Sequence, residues 1–419
     1  MLLYIDPGTG SMLFTILVGL LGAGFYASKK LLIKLKFIFS GGAKEKANKN
    51  IIPFVIFSDS KRYWNIFESI CDEFERRGKT LVYMTASPDD PALEKNYNFV
   101  KCQFIGEGNK AFVKLNMLKA DIVISTTPGL DVYQWKRSPD VKYYVHISHG
   151  VGDVTIYRMF GLDYYDAVYV SGEYKIPQIR KLEQLRNLPE KELKVAGLIY
   201  LDALQQKLKS FPKEENKSNT TTVLLAPSWG PNSIFNKFGT KIFESLLKTG
   251  YHIIVRPHPQ TYTSEAELLK ELKEKYPESE QLEWNSDNDN FEVLRRSDIL
   301  ISDFSGVLFD FALVFDKPII YTDTHFDKSV YDACWLDDEL WVFKTLGKIG
   351  QKLTEEKFPV LKEMIDNGLK DTQYAQAREN ARNEGWAYRG EATKNTVDFL
   401  LEKYDQLHEK DSVEIKGDK

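Results

Sequence analysis

Cysteine is scarce in this sequence, since only Cys71, Cys102 and Cys334 occur among its 419 residues. The three lie far apart and none belongs to a C-x-x-C pair. A disulfide framework would need more cysteines, and a structural zinc site would need closer ligand spacing. We therefore expect the bulk of the chain to lie in a reducing compartment.

An excess of positive charge is also missing, because 60 aspartate and glutamate residues balance 56 lysine and arginine residues. No basic stripe with interleaved aromatic residues is present, so we expect no nucleic-acid partner. Acidic pairs suited to a metal-bound diphosphate are missing too. Asp89-Asp90 and Asp337-Asp338 lie in polar, loop-like sequence, and no D-x-D pair follows an apolar strand in a suitable position. The sequence thus predicts a site that uses neither a metal nor a cofactor.

One long uncharged run stands near the N-terminus, where residues 12–27 read MLFTILVGLLGAGFYA and lysines follow at 29, 30, 34 and 36. A bilayer-spanning helix needs roughly twenty apolar residues, so the run is slightly short. A cleaved signal peptide would carry its positive charge before the apolar run rather than after it. We predict that residues 1–40 form a membrane anchor with the rest of the chain in the cytoplasm. A re-entrant hairpin in the inner leaflet is the alternative to a spanning helix.

Two polar segments, residues 41–50 and 211–221, divide the remaining sequence. Short apolar runs alternate with helical-period segments on both sides of the second one, and this alternation predicts βαβ units with parallel sheets. The fold class is therefore α/β with two Rossmann-like domains, residues 51–210 and 211–385. We expect a crossover helix over 386–404 and a disordered, charged tail over 405–419. The runs that read as strands are 51–58, 80–84, 121–125, 142–147, 167–170, 222–226, 251–256, 299–302 and 318–321.

The strongest local signal is a buried strand, ILIS, that runs into Asp303-Phe304-Ser305-Gly306 before a helix opens. Free backbone N–H groups at such a helix start make an anion site, together with the helix dipole. Ser302, Asp303, Ser305 and Gly306 are therefore the candidate donor-phosphate residues. Ser302 and Ser305 could add hydroxyl donors, and Gly306 would let a phosphate approach the backbone. The alternative is that Ser302, Asp303 and Ser305 only cap the helix.

Two other strand ends of the second domain carry polar residues. In Arg256-Pro257-His258-Pro259 the prolines restrict the loop, which would hold Arg256 for a diphosphate and His258 for a phosphate oxygen or proton transfer. A surface turn with incidental charge is the alternative. Ser228 and Trp229 follow an earlier strand and could contact a nucleotide, although a turn with a packed tryptophan is equally compatible.

In the first domain, the strand over residues 142–147 leads into Ser148-His149-Gly150. Gly150 permits a tight turn, and His149 is placed to act as a general base toward an acceptor hydroxyl. His146 falls within the strand, which favours a buried structural histidine. Asp153 could orient His149, but a cap of the next helix is the preferred interpretation.

Taken together, His149-Gly150, the Arg256–Pro259 loop, and residues 302–306 with Phe309-Asp310 resemble the CDP-glycerol glycerophosphotransferase family. That family includes the teichoic-acid primases and polymerases of Gram-positive bacteria, and the resemblance covers residues 51 to 401. It implies a GT-B fold, two Rossmann-like domains facing a cleft, which agrees with the domain layout.

The resemblance also implies roles. His149 corresponds to the family's general base, Arg256 and His258 to its pyrophosphate and transition-state residues, and Ser302 and Ser305 to its donor-phosphate contacts. The implied partners are a CDP-activated polyol donor and a lipid-linked or envelope glycan acceptor. The bacterial cytoplasmic membrane is expected as a partner from the predicted anchor at residues 1–40, not from the resemblance. In place of the family's usual Thr-Pro and nearby lysine, this sequence continues with Val151-Gly152-Asp153, which leaves the acceptor and the alcohol open.

Two other functions remain compatible with the sequence. A GT-B glycosyltransferase that uses a nucleotide sugar would need the same helix-start phosphate site, although no pair of glutamates is spaced to grip a ribose and a sugar. A catalytically inactive membrane scaffold is the second alternative, and the presence of His149, Arg256 and His258 argues against it.

Overall fold

The structure is a computed structural model that describes residues 51–212, 220–287, 289–322, 325–370 and 372–417, with side chains as far as residue 409. The predicted anchor and linker at residues 1–50 lie outside the described residues. Among the helices of the described part, none is both long and apolar enough to cross a bilayer.

A seven-stranded parallel sheet forms the N-terminal half, in the order β3-β2-β1-β4-β5-β6-β7. Its central strand β1 pairs with β2 on one side and β4 on the other, so that Val55 lies opposite both Val82 and Val123. Continuous apolar runs form these inner strands because both faces of the sheet are covered by helices. The strands are β1 (Ile52–Ser58), β2 (Leu81–Thr85), β3 (Val100–Phe104), β4 (Ala120–Ser125), β5 (Val141–Ile147), β6 (Ala167–Val170) and β7 (Glu192–Val195).

A six-stranded parallel sheet forms the C-terminal half, in the order β10-β9-β8-β11-β12-β13. Leu224 of its central strand lies opposite Ile254 on one side and Leu300 on the other. Both sheets are parallel, as the βαβ pattern predicted. The strands are β8 (Thr222–Leu225), β9 (His252–Val255), β10 (Leu282–Trp284), β11 (Ile299–Ser302), β12 (Ile319–Thr322) and β13 (Gln351–Leu353).

Amphipathic helices cover both sheets. In α1, the residues Ile66, Phe67, Ile70 and Phe74 recur at helical spacing and are all buried against the first sheet. The helices are α1 (Trp64–Arg76), α2 (Asn109–Leu115), α3 (Lys175–Arg186), α4 (Ile199–Ser210), α5 (Ile234–Phe238), α6 (Thr240–Leu247), α7 (Thr261–Ser264), α8 (Ala266–Lys275), α9 (Phe291–Arg296), α10 (Val307–Phe309, continued by a wider turn over Asp310–Val314), α11 (Trp341–Ile349), α12 (Leu361–Lys370), α13 (Ala375–Gly385) and α14 (Ala392–Gly417).

The last helix, α14, packs against the N-terminal half, in the region where the sequence predicts a crossover helix. Ala392 and Leu400 are fully buried in the core around α1. The Asp202 carboxylate caps the helix by accepting the Ala392 N–H at 3.0 Å. Residues 405–417, part of the tail that the sequence predicts to be disordered, belong to α14, which has no proline and no glycine before Gly417.

The two halves meet through buried polar contacts. The Asp332 carboxylate of the C-terminal half accepts the Phe160 N–H at 2.7 Å and pairs with Arg186 at 2.5 Å. Both charged side chains are at most 5% exposed. A short antiparallel bridge between Arg158 and Tyr331 adds backbone pairing. These contacts join the N-terminal half to the segment that follows β12.

Candidate active site

The predicted site residues follow strands at or next to the point where the strand order of each sheet reverses. The reversal lies between β1 and β4 in the first sheet and between β8 and β11 in the second. In open α/β sheets, ligands bind outside the carboxyl ends of the strands at this point. His149 follows β5, beside β4, whereas Arg256 follows β9, beside β8.

His149 is oriented by two hydroxyl groups. Its Nδ1 atom lies 2.8 Å from Thr126 Oγ1 and 3.3 Å from the Tyr157 hydroxyl. Its Nε2 atom has no hydrogen-bond partner among the described residues, and the ring is half-buried. Burial, and next the charge of Lys175, lower the pKa of His149 to about 4. The imidazole is therefore neutral near pH 7, as a general base must be.

His146 has a structural role, as its position within the strand predicted. It is fully buried, and its Nε2–H donates to the Thr126 carbonyl oxygen at 3.2 Å. Burial is the main reason why the pKa of His146 falls to about 3. Thr126 thus fixes both histidines, His146 through its carbonyl group and His149 through its side chain.

Asp153 caps a helix, but not the one that follows it in sequence. Its carboxylate accepts the backbone N–H groups of Trp341 and Val342, each at 2.9 Å, at the start of α11 in the C-terminal half. Asp153 is only 4% exposed. The carboxylate therefore joins the two halves, while Thr126 and Tyr157 orient His149.

The Gly150 backbone is held by a buried lysine. Lys175, at the start of α3, is 1% exposed and donates from Nζ to the Gly150 carbonyl oxygen at 2.7 Å. Burial lowers the pKa of Lys175 to about 7, although the charge of Asp153 opposes this change. A cation that titrates near neutral pH thus stands directly behind the His149 loop.

His258 is fixed in a different way from His149. The Gln260 backbone N–H donates to His258 Nδ1 at 3.1 Å, so the proton of the neutral ring resides on Nε2. The Trp229 ring stacks on the His258 ring, with centroids 6.4 Å apart and planes inclined by 30°. Burial, and next the charge of Arg62, lower the pKa of His258 to about 4. His258 is therefore a neutral hydrogen-bond donor rather than a base at Nε2.

Arg256 is held in place by its neighbours after β10. Its guanidinium group donates to the Asn285 side chain and, at 2.8 Å, to the Asp287 carbonyl oxygen. Because guanidinium carries five N–H groups, donors remain for an anion. Burial lowers the pKa of Arg256, against the opposing charge of Asp287.

Ser302 and Asp303 do not face the cleft. Ser302 is fully buried and donates its hydroxyl to the Ala226 carbonyl oxygen at 2.5 Å. The Asp303 carboxylate, 1% exposed, accepts the N–H groups of Ser228 at 2.9 Å and Ile234 at 3.1 Å. Their predicted contact with a donor phosphate is therefore wrong, because both side chains turn inward and tie the ends of β8 and β11 together. Ser228 is itself 6% exposed and belongs to this scaffold.

Ser305 and Gly306 are the accessible part of the same segment. The Ser305 hydroxyl has no partner within the described ranges and is half-buried, whereas Gly306 is exposed. A Cβ atom at Gly306 would meet nothing within 4 Å. The space above this helix start is thus open, as an anion site requires. The next motif residue, Asp310, accepts the Tyr200 hydroxyl at 3.1 Å, and burial raises the pKa of Asp310 to about 7.

Several cleft residues were missed from the sequence. Thr126 follows β4 directly, and the rule that singled out His149 could have found it. Lys175 gave no signal, since a lysine at a helix start is normally exposed. Arg62 and Tyr63 follow β1, but they resemble the start of an ordinary surface helix. Within the described residues, no group of three or more His, Cys, Asp or Glu side chains is arranged to hold a metal ion.

Comparisons with known proteins agree with this layout. The family described as CDP-glycerol:poly(glycerophosphate) glycerophosphotransferase matches residues 198–400. A teichoic acid glycerol-phosphate primase of Bacillus spizizenii is 28% identical over 190 residues, which are 43% of this chain and 43% of that protein. The chain thus matches less than half the length of this curated relative.

Solved structures show the same fold at low sequence identity. The wall teichoic acid polymerase TagF is 15% identical with a TM-score of 0.54, over 90% of this chain and 98% of that one. A UDP-GlcNAc 2-epimerase of Methanocaldococcus jannaschii is 15% identical with a TM-score of 0.55, over 83% of this chain and 99% of that one. These likenesses show the two-domain α/β fold of the GT-B type, and they do not choose between its activities. The family match over residues 198–400 covers just under half of the chain, and the Arg256–Pro259 loop and residues 302–306 lie within it.

Proposed function

We propose that this protein transfers a glycerol-phosphate or similar polyol-phosphate unit from a CDP-linked donor to a hydroxyl group of a cell-envelope glycan, with release of CMP. One observation carries the proposal. Two neutral histidines border the same cleft, and their hydrogen bonds prepare them for opposite tasks. His149 has an Nε2 atom without a partner in the described part, and His258 has an Nε2–H that points away from its backbone contact.

The reaction follows from these two groups. His149 Nε2 accepts the proton of the acceptor hydroxyl, while the hydroxyl oxygen forms a bond to the phosphorus that carries the polyol. The bond between that phosphorus and the bridging oxygen breaks, and the bridging oxygen leaves with CMP. When His149 gains its proton, Nδ1–H donates to Thr126 Oγ1 or to the Tyr157 hydroxyl, since both can accept. The chain thereby stabilises the imidazolium without a carboxylate.

The donor phosphates would lie against the C-terminal half. Arg256 supplies charged donors, His258 supplies Nε2–H, and Ser305 supplies a hydroxyl beside the open space at Gly306. Such groups catalyse phosphoryl transfer by positioning and charge stabilisation rather than through a covalent intermediate. The TagF structure was obtained with CDPG, which supports the choice of a CDP-linked donor.

The acceptor side rests on the sequence. Residues 1–40 would anchor the chain at the bacterial cytoplasmic membrane, and an acceptor carried on a lipid would then reach His149 from the inner leaflet. Teichoic acid synthesis in the related primase agrees with an envelope glycan as acceptor.

Nucleotide release by the detergent-solubilised protein tests the proposal. The donors offered are CDP-glycerol, CDP-ribitol and UDP-sugars, each with a lipid-linked glycan acceptor. His149→Ala should lower acceptor-dependent CMP release on the order of 10²- to 10⁴-fold, the usual contribution of a general base. The matched control is His252→Ala, because His252 lies at the amino end of β9, away from the cleft, and should leave turnover unchanged.

The outcomes separate the alternatives. UDP release in place of CMP release would move the chain to the glycosyltransferases. Full activity in His149→Ala would refute the assignment of the base. If no donor reacted and the cellular phenotype survived in His149→Ala but was lost on deletion of residues 12–27, the protein would be a scaffold.

A further inference from the structure

The turn that follows β1 reaches into the cleft from the N-terminal half. It is a single 3-10 turn over Lys61–Tyr63, and its first residue is anchored to the loop after β2. The Lys61 N–H donates to Ser87 Oγ at 3.0 Å, and the Tyr63 N–H donates to the Ser60 carbonyl oxygen at 3.0 Å. The Tyr63 ring lies 5.4 Å from the His149 ring. The position of the turn beside the proposed base is therefore fixed.

The two cations of this turn differ in their partners. Lys61 forms an ion pair with Asp89 at 2.5 Å. Arg62 is exposed, and its guanidinium group makes no hydrogen bond or ion pair with any residue that the structure describes. Its charge nevertheless reaches His258, whose pKa it lowers. Arg62 therefore lies near the proposed donor site, although it belongs to the opposite half.

An unpaired guanidinium group in this place has a clear chemical preference. His149 and His258 are neutral, and Arg256 lies two residues before His258 in the C-terminal half. A phosphate bound beside His258 would be attracted by the Arg62 charge, which already acts on this histidine. The planar fork of arginine suits phosphate oxygens, to which it can donate two parallel hydrogen bonds.

We propose that Arg62 is a donor-binding residue that grips the diphosphate of a nucleoside-diphosphate ligand from the N-terminal half, opposite Arg256 and His258. This inference rests on the proposed function for its choice of cytidine as the base, but not for the diphosphate itself. A diphosphate bound in this way links the two halves of the molecule and places its phosphorus atoms between His149 and His258. The N-terminal half, which carries the proposed base His149, thus helps to bind the donor.

The test is calorimetric titration of the full-length protein with CDP, and with cytidine as a probe that lacks phosphate. Arg62→Gln should weaken CDP binding about 10- to 100-fold, the usual effect of losing a charged hydrogen bond to phosphate. Arg62→Lys should recover part of the affinity, since it keeps the charge without the fork. Lys61→Gln is the matched control, and its CDP affinity should stay within a factor of about two, because the Lys61 charge is already paired. Cytidine affinity should be the same in all variants.

Four results would overturn the assignment. The first is wild-type CDP affinity in Arg62→Gln, and the second is an equal loss in Lys61→Gln, which would indicate a general effect of charge. The third is a loss of glycerol 3-phosphate binding in Arg62→Gln with CDP binding intact, which would place Arg62 on the acceptor. The fourth is a wild-type protein that binds neither CDP nor UDP, which would refute both proposals.

A different result concerns the donor alone. Wild-type protein that binds UDP but not CDP would refute the proposed donor only, and the same variants titrated with UDP would then decide the role of Arg62.

Discussion

Replacing Lys175 by methionine should shift the acidic limb of the pH–activity profile to higher pH. As the proposed base, His149 would act only in its neutral form, which it adopts above its pKa of about 4. Burial and the charge of Lys175 both lower this pKa. Methionine is as long as the lysine stem and carries no charge, so Lys175→Met removes the second cause and keeps most of the first.

The size of the shift follows from Coulomb's law. Lys175 is buried and is charged below its own pKa of about 7, so its charge is present throughout the range in which His149 titrates. A unit charge within about 10 Å contributes on the order of 1 to 2 kcal/mol at an effective dielectric constant of about 20, which is about one pH unit. The limb in kcat/KM should therefore move from about pH 4 to about pH 5 in the variant.

The assay is acceptor-dependent nucleotide release from pH 4 to 8, with enzyme stability checked at each pH. Lys175→Gln is a second variant that is also uncharged but retains an N–H donor for Gly150. Lys191→Met is the matched control, because Lys191 is likewise buried but forms its ion pair with Glu183 and does not affect the pKa of His149. If the limb stayed in place in both Lys175 variants, or moved equally in Lys191→Met, the charge of Lys175 would not set the basicity of His149.

Three further predictions concern stability. His146→Gln keeps a donor for Thr126, but it cannot bind the proton that unfolded histidine takes up near pH 6.5. The folded pKa of His146 is about 3, so the contribution of the neutral ring to stability is complete above pH 6.5 and is lost as the pH falls. In urea unfolding, the free energy of unfolding of the variant should therefore fall by about 2 to 3 kcal/mol less than that of wild type between pH 7 and 4.5. Equal losses in the two proteins would contradict this. Asp153→Asn leaves one N–H of α11 without its acceptor and should lower the free energy of unfolding by about 1 to 3 kcal/mol. The pH–activity profile should not shift. A shifted profile would mean that Asp153 affects the pKa of His149. Asp202→Ala removes the cap of α14 and should make this helix the first site of proteolytic cleavage, which mass spectrometry of the fragments would detect or exclude.

The strands that the sequence predicted and the strands that it missed differ in one physical respect. All nine predicted strands occur, and all are inner strands whose apolar runs are covered on both faces. The four missed strands, β3, β7, β10 and β13, are the four edges of the two sheets. In β7, for example, every residue of Glu192–Val195 is only half-buried. An edge strand mixes polar and apolar residues because one side of it meets solvent, so it leaves no continuous apolar run to find.

The candidate site shows a similar division. The positions of the strand ends predicted where the cleft would lie, because parallel strands bring their carboxyl ends to one edge of the sheet. They did not predict which way a side chain turns there. Ser302 and Asp303 are polar and follow a strand, yet they face inward and serve the scaffold. Asp153 could not be assigned either, because its partners lie 188 and 189 residues away in sequence.

The electrostatics of the cleft link the strength of the base to the presence of the donor. Without a ligand, burial and the nearby cations Lys175 and Arg62 hold the pKa of His149 and that of His258 at about 4, so both rings stay neutral. A bound diphosphate brings negative charge to the same space, which offsets these cations and raises both pKa values. If His149 is the base, it would then be stronger only when the donor is in place, and a hydroxyl group that arrived alone would meet a weaker base. The acidic limb of kcat, which reports the enzyme–substrate complex, should therefore lie at a higher pH than the acidic limb of kcat/KM, which reports the free enzyme.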